Sequence, residues 1–182
     1  MQHYPDGGGV YVVGESGLLT TLTGVPGFRA EGTRPKFVVV GLHYHFDYEV
    51  LKRACNAIRG GAHFIATNAD TTIPVEGGEL WPGAGSILAA VRACSGVEPV
   101  IIGKPNPYIG QMALLKLGLP AERVLCVGDR VETDIALGKA IDTPTALITT
   151  GVAGQGDVRQ PEILPDHTFD GLPALVQALG LR

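Results

Sequence analysis

An α/β fold built on parallel strands is what the sequence predicts, and three observations predict it. Short apolar runs rich in β-branched residues recur and end at glycines; stretches with helical period separate them; glycines and prolines punctuate the joins. Val10-Tyr11-Val12-Val13 ends at Gly14, and Phe37-Val38-Val39-Val40 ends at Gly41. Both read as buried parallel strands. Between them, Glu15 to Leu22 reads as one helix. Asp47 can N-cap the next helix, which carries Tyr48, Leu51, Cys55 and Ile58 on one face and stops at Gly60-Gly61. The run Ala62-His63-Phe64-Ile65-Ala66 supplies a third strand, so residues 9 to 67 read β-α-β-α-β.

From Thr71 to Gly83 the sequence is turn-like, with Pro74, Gly77, Gly78 and Pro82, and a domain boundary is expected there. This gives a first domain over residues 1–82 and a second over 83–182. In the second, a helix from about Gly85 to Ala93 buries Ile87, Leu88 and Val91, and Val100-Ile101-Ile102 is a strand ending at Gly103-Lys104-Pro105. A helix from Tyr108 to Leu117 follows, closed by Gly118. Val124-Leu125-Cys126-Val127 is the most strand-like run of the chain and ends at Gly128-Asp129. A helix near Thr133 to Ala140, a strand Thr145 to Ile148, a polar Gly/Pro loop and a helix Pro173 to Leu179 complete the alternation.

The 182 residues, 45% hydrophobic, are enough to bury a core without disulfides. Fourteen Lys and Arg against 18 Asp and Glu, with the basic residues scattered, argue against nucleic acid as a partner. No apolar run approaches the ~18 residues of a membrane span, and the first residues lack the charged and apolar parts of a signal peptide. No membrane partner and a cytoplasmic location are therefore expected. Cys55, Cys94 and Cys126 are too far apart in sequence for a C-x-x-C pair and read as small buried hydrophobes.

In an open parallel sheet, ligands bind at the carboxyl ends of the strands. Three polar groups qualify: Lys104 after Val100–Ile102, Asp129 after Val124–Val127 with Asp134 five residues on, and Thr149-Thr150 after the strand at 145–148. A lysine and two carboxylates at one sheet edge suit a Mg²⁺ ion and a phosphate, because hard oxygens hold the cation and the ammonium offsets the phosphate charge. The plainer reading is a loop lysine with two solvated or capping aspartates.

Gly103-Lys104-Pro105-Asn106-Pro107, followed by Gly128-Asp129-Arg130-Val131-Glu132-Thr133-Asp134, resembles the third and fourth motifs of the haloacid dehalogenase (HAD) superfamily of phosphatases. The likeness extends through Val12-Val13-Gly14-Glu15, Phe46-Asp47-Tyr48, Ala66-Thr67-Asn68-Ala69-Asp70, Pro82-Gly83-Ala84-Gly85 and Thr150-Gly151-Val152, and points to the NagD-like branch. The resemblance implies an α/β cap that selects substrate over residues 1–82, and the carboxyl half of a Rossmann-like core with a parallel sheet over 83–182. It also implies a Mg²⁺-dependent hydrolase of a small phosphorylated metabolite, working by phosphoryl transfer to an aspartate and hydrolysis of the aspartyl phosphate. Lys104 would neutralise the phosphoryl charge and steady the nucleophile, Asp129 would bind Mg²⁺, and Asp134 would orient Lys104 or a metal-bound water. Asn68 and Asp70 would shape their loop, the favoured role, or face the substrate. Caps of this branch often pair, which makes a homodimer an expected partner.

The chain departs from the family pattern at one place. The nucleophile and general acid/base are the two aspartates of a D-x-D motif, yet the nine aspartates here, at 6, 47, 70, 129, 134, 142, 157, 166 and 170, include no two that are two positions apart. Tyr4-Pro5-Asp6-Gly7 is a poor imitation with no apolar strand before it. The expectation is that the chain starts inside the family pattern, exposes the sheet edge beside Val124–Val127, and is inactive as a phosphatase by itself. The alternative is a non-catalytic binding or assembly module derived from such an enzyme. His43-Tyr44-His45 reads as a pair of surface loop histidines rather than the metal site of a barrel hydrolase, with His43 standing where the family commonly has an acid. Pro82-Gly83-Ala84-Gly85-Ser86-Ile87-Leu88 lacks the third small residue of a dinucleotide fingerprint.

Overall fold

The computed structural model describes residues 6–150 and 163–180; Tyr4-Pro5, Gly151-Val152 and Asp157 lie outside the described residues. The chain divides into two compact units, residues 1–102 and 103–182.

The first unit is a five-stranded, all-parallel sheet. Its elements are β1 (Gly8–Val13), α1 (Ser16–Thr23), β2 (Phe28–Ala30), β3 (Phe37–Val40), α2 (Tyr48–Arg59), β4 (His63–Ala66), the hairpin strands β5 (Thr72–Pro74) and β6 (Leu80–Pro82), α3 (Ala84–Ser95) and β7 (Val100–Ile101). The strand order is β2-β1-β3-β4-β7. All four residues of β3 are buried because both sheet faces are covered. Val38 and Val40 pack on Cys55 and Ile58 of α2 and Val91 of α3, while Phe37 and Val39 meet Val10, Leu18 and Phe28 on the other face. Each such buried side chain contributes about 1.5–3 kcal/mol relative to exposure.

The carboxylate of Asp47 caps α2, accepting the Val50 N–H at 2.8 Å, and Glu49 and Arg59 sit at the dipole ends that suit their charges. The buried face runs Ala54, Cys55 and Ile58, while Tyr48, expected on it, is 80% exposed.

The unit boundary differs from the expected one at Pro82. The helix at 84–95 and the strand at 100–101 belong to the first unit, because Ile87, Leu88 and Val91 complete the core above β3 and Ile101 pairs with Ala66 of β4. The turn-like text at 71–83 contains the β5–β6 hairpin, and β2 is a short parallel strand that sequence periodicity does not reveal.

The second unit comprises α4 (Pro107–Leu117), β8 (Cys126–Gly128), a π-helical turn (Val131–Ile135) running into α5 (Ala136–Ala140), β9 (Thr145–Ile148), β10 (His167–Phe169) and α6 (Leu172–Ala178). Its parallel sheet has the order β10-β9-β8. The strand expected over Val124–Val127 is shorter and shifted: Ala121–Arg123 is a 3₁₀ turn that takes the Val124 N–H, so pairing begins at Cys126. Among the described residues β8 is an outer strand, with Val127 39% exposed. β9 is buried at every residue, and β10 lies where a polar loop was expected. Among the described residues no helix is long and apolar enough to cross a membrane.

Asp166 ties the approach to β10 to the start of β9. Its Oδ2 accepts the Thr145 N–H and hydroxyl, each at 2.8 Å, and Lys139 pairs with its Oδ1. Lys139 first, then the Thr145 bonds, hold this carboxyl well below the usual carboxylate range. A depressed folded-state pKa contributes stability that is present above the unfolded value, near pH 4, and is lost as pH falls through the folded one. Asp166→Asn is therefore expected to flatten the loss of thermal stability between about pH 4 and pH 2 relative to the parent chain. Calorimetric melts across that range check it, and parallel curves for the two proteins refute it.

Candidate active site

Lys104 lies in the loop before α4. Asn106 ends that loop as the helix N-cap, its Oδ1 accepting the Tyr108 N–H at 2.9 Å, with Pro107 in the first turn. Asp129 directly follows β8, at the carboxyl end of the strand.

Asp134 organises both. Its side chain is 9% exposed, and Oδ1 accepts a charge-assisted bond from Lys104 Nζ at 2.7 Å. Oδ2 accepts the backbone N–H groups of Asp129 and Arg130 at 3.1 and 3.2 Å. One buried carboxylate thus fixes the loop after β8 and the position of a lysine 30 residues upstream. The local backbone is shaped for this. Where an ordinary helix was expected near Thr133, the Asp134 N–H and Ile135 N–H both reach the Arg130 carbonyl, which widens the turn to π geometry and turns Asp134 inward. Gly128 is obligatory here, since a Cβ would fall 2.2 Å from Cβ and Cγ of Asp134. The Cys126 thiol donates to the Asp134 carbonyl at 3.4 Å; burial first, and the Asp134 charge second, push that thiol up, so it stays protonated.

This donor set accommodates Mg²⁺. Both Asp134 oxygens accept from the ammonium and the two amides, and the Asp129 carboxylate at the strand end is a hard oxygen donor that would hold the cation. Among the described residues no three His, Cys, Asp or Glu side chains converge as a closed metal cage. Mg²⁺ is commonly held by only one or two protein carboxylates, with water and substrate oxygens completing its shell, so a lone aspartate is a fitting contribution.

Asn68 and Asp70 belong to the first unit, in the loop after β4. Asn68 Oδ1 accepts the Asp70 N–H at 3.2 Å, and the Asp70 carbonyl accepts the Gly85 N–H at 2.8 Å. This loop lies so close to the start of α3 that a Cβ on Gly85 would sit 2.2 Å from the Ala69 carbonyl oxygen. Asn68 thereby has a loop-shaping bond.

A polar pair that spacing did not single out stands at the same end of this sheet. Between β1 and β3 the strand order reverses direction, the place where open α/β sheets form a crevice. Glu15 follows β1 there, and its Oε1 accepts the Tyr44 N–H at 2.9 Å. That bond, ahead of the neighbouring His43, holds the Glu15 carboxyl below its ordinary range. His43 is largely buried rather than a surface residue; its Nδ1 lies 3.4 Å from Glu15 Oε1 without a hydrogen bond. Strand order, invisible to local pattern, is the signal that finds this pair. At the opposite end of the strands, a hollow of about 890 Å³ is lined by Arg34, Lys36 and Arg53 and by no carboxylate.

The HAD-hydrolase-like family model matches residues 101–175. The chain is 38% identical over 168 residues to a dihydroxyacetone phosphatase of Corynebacterium glutamicum, covering 92% of this chain and 60% of that one. Among solved structures, a p-nitrophenyl phosphatase from Archaeoglobus fulgidus superposes with a TM-score of 0.87 at 35% identity, covering 97% of this chain and 69% of the other. NagD from Escherichia coli gives 0.79 at 32% identity, covering 90% and 63%. The chain spans 60–66% of the length of the curated relatives it matches first.

Proposed function

Because the chain belongs to the haloacid dehalogenase-like hydrolases, on the branch of NagD and the p-nitrophenyl phosphatases, we propose that it carries the phosphate- and Mg²⁺-binding half of a phosphate-monoester hydrolase. The substrate is a small phosphorylated metabolite, the first unit is its substrate-selecting cap, and the protein works in the cytoplasm as a homodimer joined through that cap. The Lys104–Asp134 pair carries this reading: an ammonium held at 2.7 Å by a buried carboxylate that also fixes the amides of Asp129 and Arg130.

In this reading Lys104 offsets the negative charge of the phosphoryl group. Asp134 keeps the ammonium pointed, acting as a positioning residue. Asp129 holds Mg²⁺, which when bound neutralises charge on the phosphoryl oxygens. Asn68 and Asp70 would present polar groups to the remainder of the substrate. The 182 residues contain no Asp-x-Asp pair, so in this reading the nucleophile and general acid are not among them.

The test is p-nitrophenyl phosphate hydrolysis in Mg²⁺. The purified 182-residue chain is expected to release no nitrophenol. The same chain joined to an Asp-x-Asp-bearing amino-terminal segment of a relative is expected to turn over, and to stop when EDTA removes the metal. Steady turnover by the chain alone overturns its inactivity. A folded, joined protein that binds phosphate without turning over the ester favours the non-catalytic module instead.

A further inference from the structure

We propose that Cys55 and Cys94 form a dithiol that a peroxide closes into a disulfide across the seam between α2 and α3. The inference rests on the packing of the first unit alone, independent of the reaction at Lys104.

Three contacts bring the two turns together. Cys55, 1% exposed, sits in the core cluster where Ile58 of α2 meets Val91 of α3, and Cys94 packs against the same cluster from the next turn of α3. The Cys55 thiol donates to the Val91 carbonyl at 3.8 Å, and Cys94, three residues on from Val91, packs against the cluster that holds Cys55. Arg59, one turn beyond Cys55, donates from Nη2 to the Cys94 carbonyl at 2.6 Å and clamps the helices at this level. Side chains three and four apart share a helix face, so Cys55 with Arg59 and Val91 with Cys94 are facing rows.

The two thiols differ in a way that orders the chemistry. Cys94 is only partly buried, whereas burial, reinforced by Cys94, pushes the Cys55 thiol up to about 12. Cys94 is therefore the group that an outside oxidant meets first. Hydrogen peroxide oxidises it to the sulfenic acid while one peroxide oxygen leaves as water. The Cys55 sulfur then attacks the Cys94 sulfur: the S–S bond forms, the S–O bond breaks, and hydroxide leaves with the Cys55 proton as a second water. Cys126 belongs to the second unit and its thiol is engaged with the Asp134 carbonyl, so it takes no part.

The full chain is treated with a small excess of hydrogen peroxide, blocked with iodoacetamide and digested with trypsin without reduction. The expected result is a loss of about two hydrogen masses for the pair, with peptide 54–59 joined to peptide 93–116 and Cys126 recovered alkylated. Cys126→Ser leaves the link intact and Cys94→Ser abolishes it. The linked chain melts at a higher temperature until dithiothreitol is added. Sulfinic acid at Cys94 without the joined peptides, or a link that contains Cys126, overturns the proposal.

Discussion

Asp134→Ala is expected to destabilise the second unit by about 2–4 kcal/mol, since two part-buried amides and Lys104 lose a charged acceptor whose own side chain is 9% exposed. Lys104→Met is expected to cost less, because Lys104 is half exposed while the Asp134 carboxylate keeps its two amide donors after the change. Hydrogen exchange at the amides of β9 measures this directly. Fluorescence does not serve, as the single tryptophan, Trp81, is in the first unit. Equal protection in Asp134→Ala and the parent chain would show that the carboxylate does not hold this region together.

The second large effect concerns catalysis by the protein joined to an Asp-x-Asp segment. Lys104→Met there is expected to lower kcat by roughly 10²–10³-fold, the usual scale for removing one preorganised charge from an anionic transition state. Asp129→Ala should lose activity together with the response to added Mg²⁺. Asp134→Asn keeps the shape but not the charge, and in folded protein should lower kcat while leaving KM largely unchanged. Full activity in Lys104→Met would remove the lysine from the reaction.

Much of the fold was legible because each signal was local. The runs at 10–13, 37–40 and 145–148 alternate between two covered faces, so every residue in them is apolar or small, and the strands lie where that pattern lies. Asp47 announced its helix through capping chemistry confined to three residues, whereas the cap at Asn106 emerged only in the structure. What was not legible depended on distant partners. The stretch 84–101 carries an ordinary helix and strand whose unit is decided by β4 and α2, 30 or so residues away. Cys126–Gly128 is a strand only where β9 offers pairing, so Val124 and Leu125, equally apolar, stay outside it.

The same division runs through the functional residues. Sequence by itself determined the chemical inventory: a lysine and two aspartates at strand ends, and no Asp-x-Asp pair among 182 residues. Tertiary structure alone decided what those groups do to each other. Lys104 and Asp134 are 30 positions apart, and their contact requires the π turn after β8, the missing side chain at Gly128 and the loop before α4 to agree to within a hydrogen bond length. The placing of Cys55 and Cys94 in one cluster and of Glu15 near His43 likewise follows from how helices and strands are layered. Residue type is carried by the chain one position at a time, whereas a charge becomes a catalytic or redox group only through the few ångströms that folding sets between it and its neighbour.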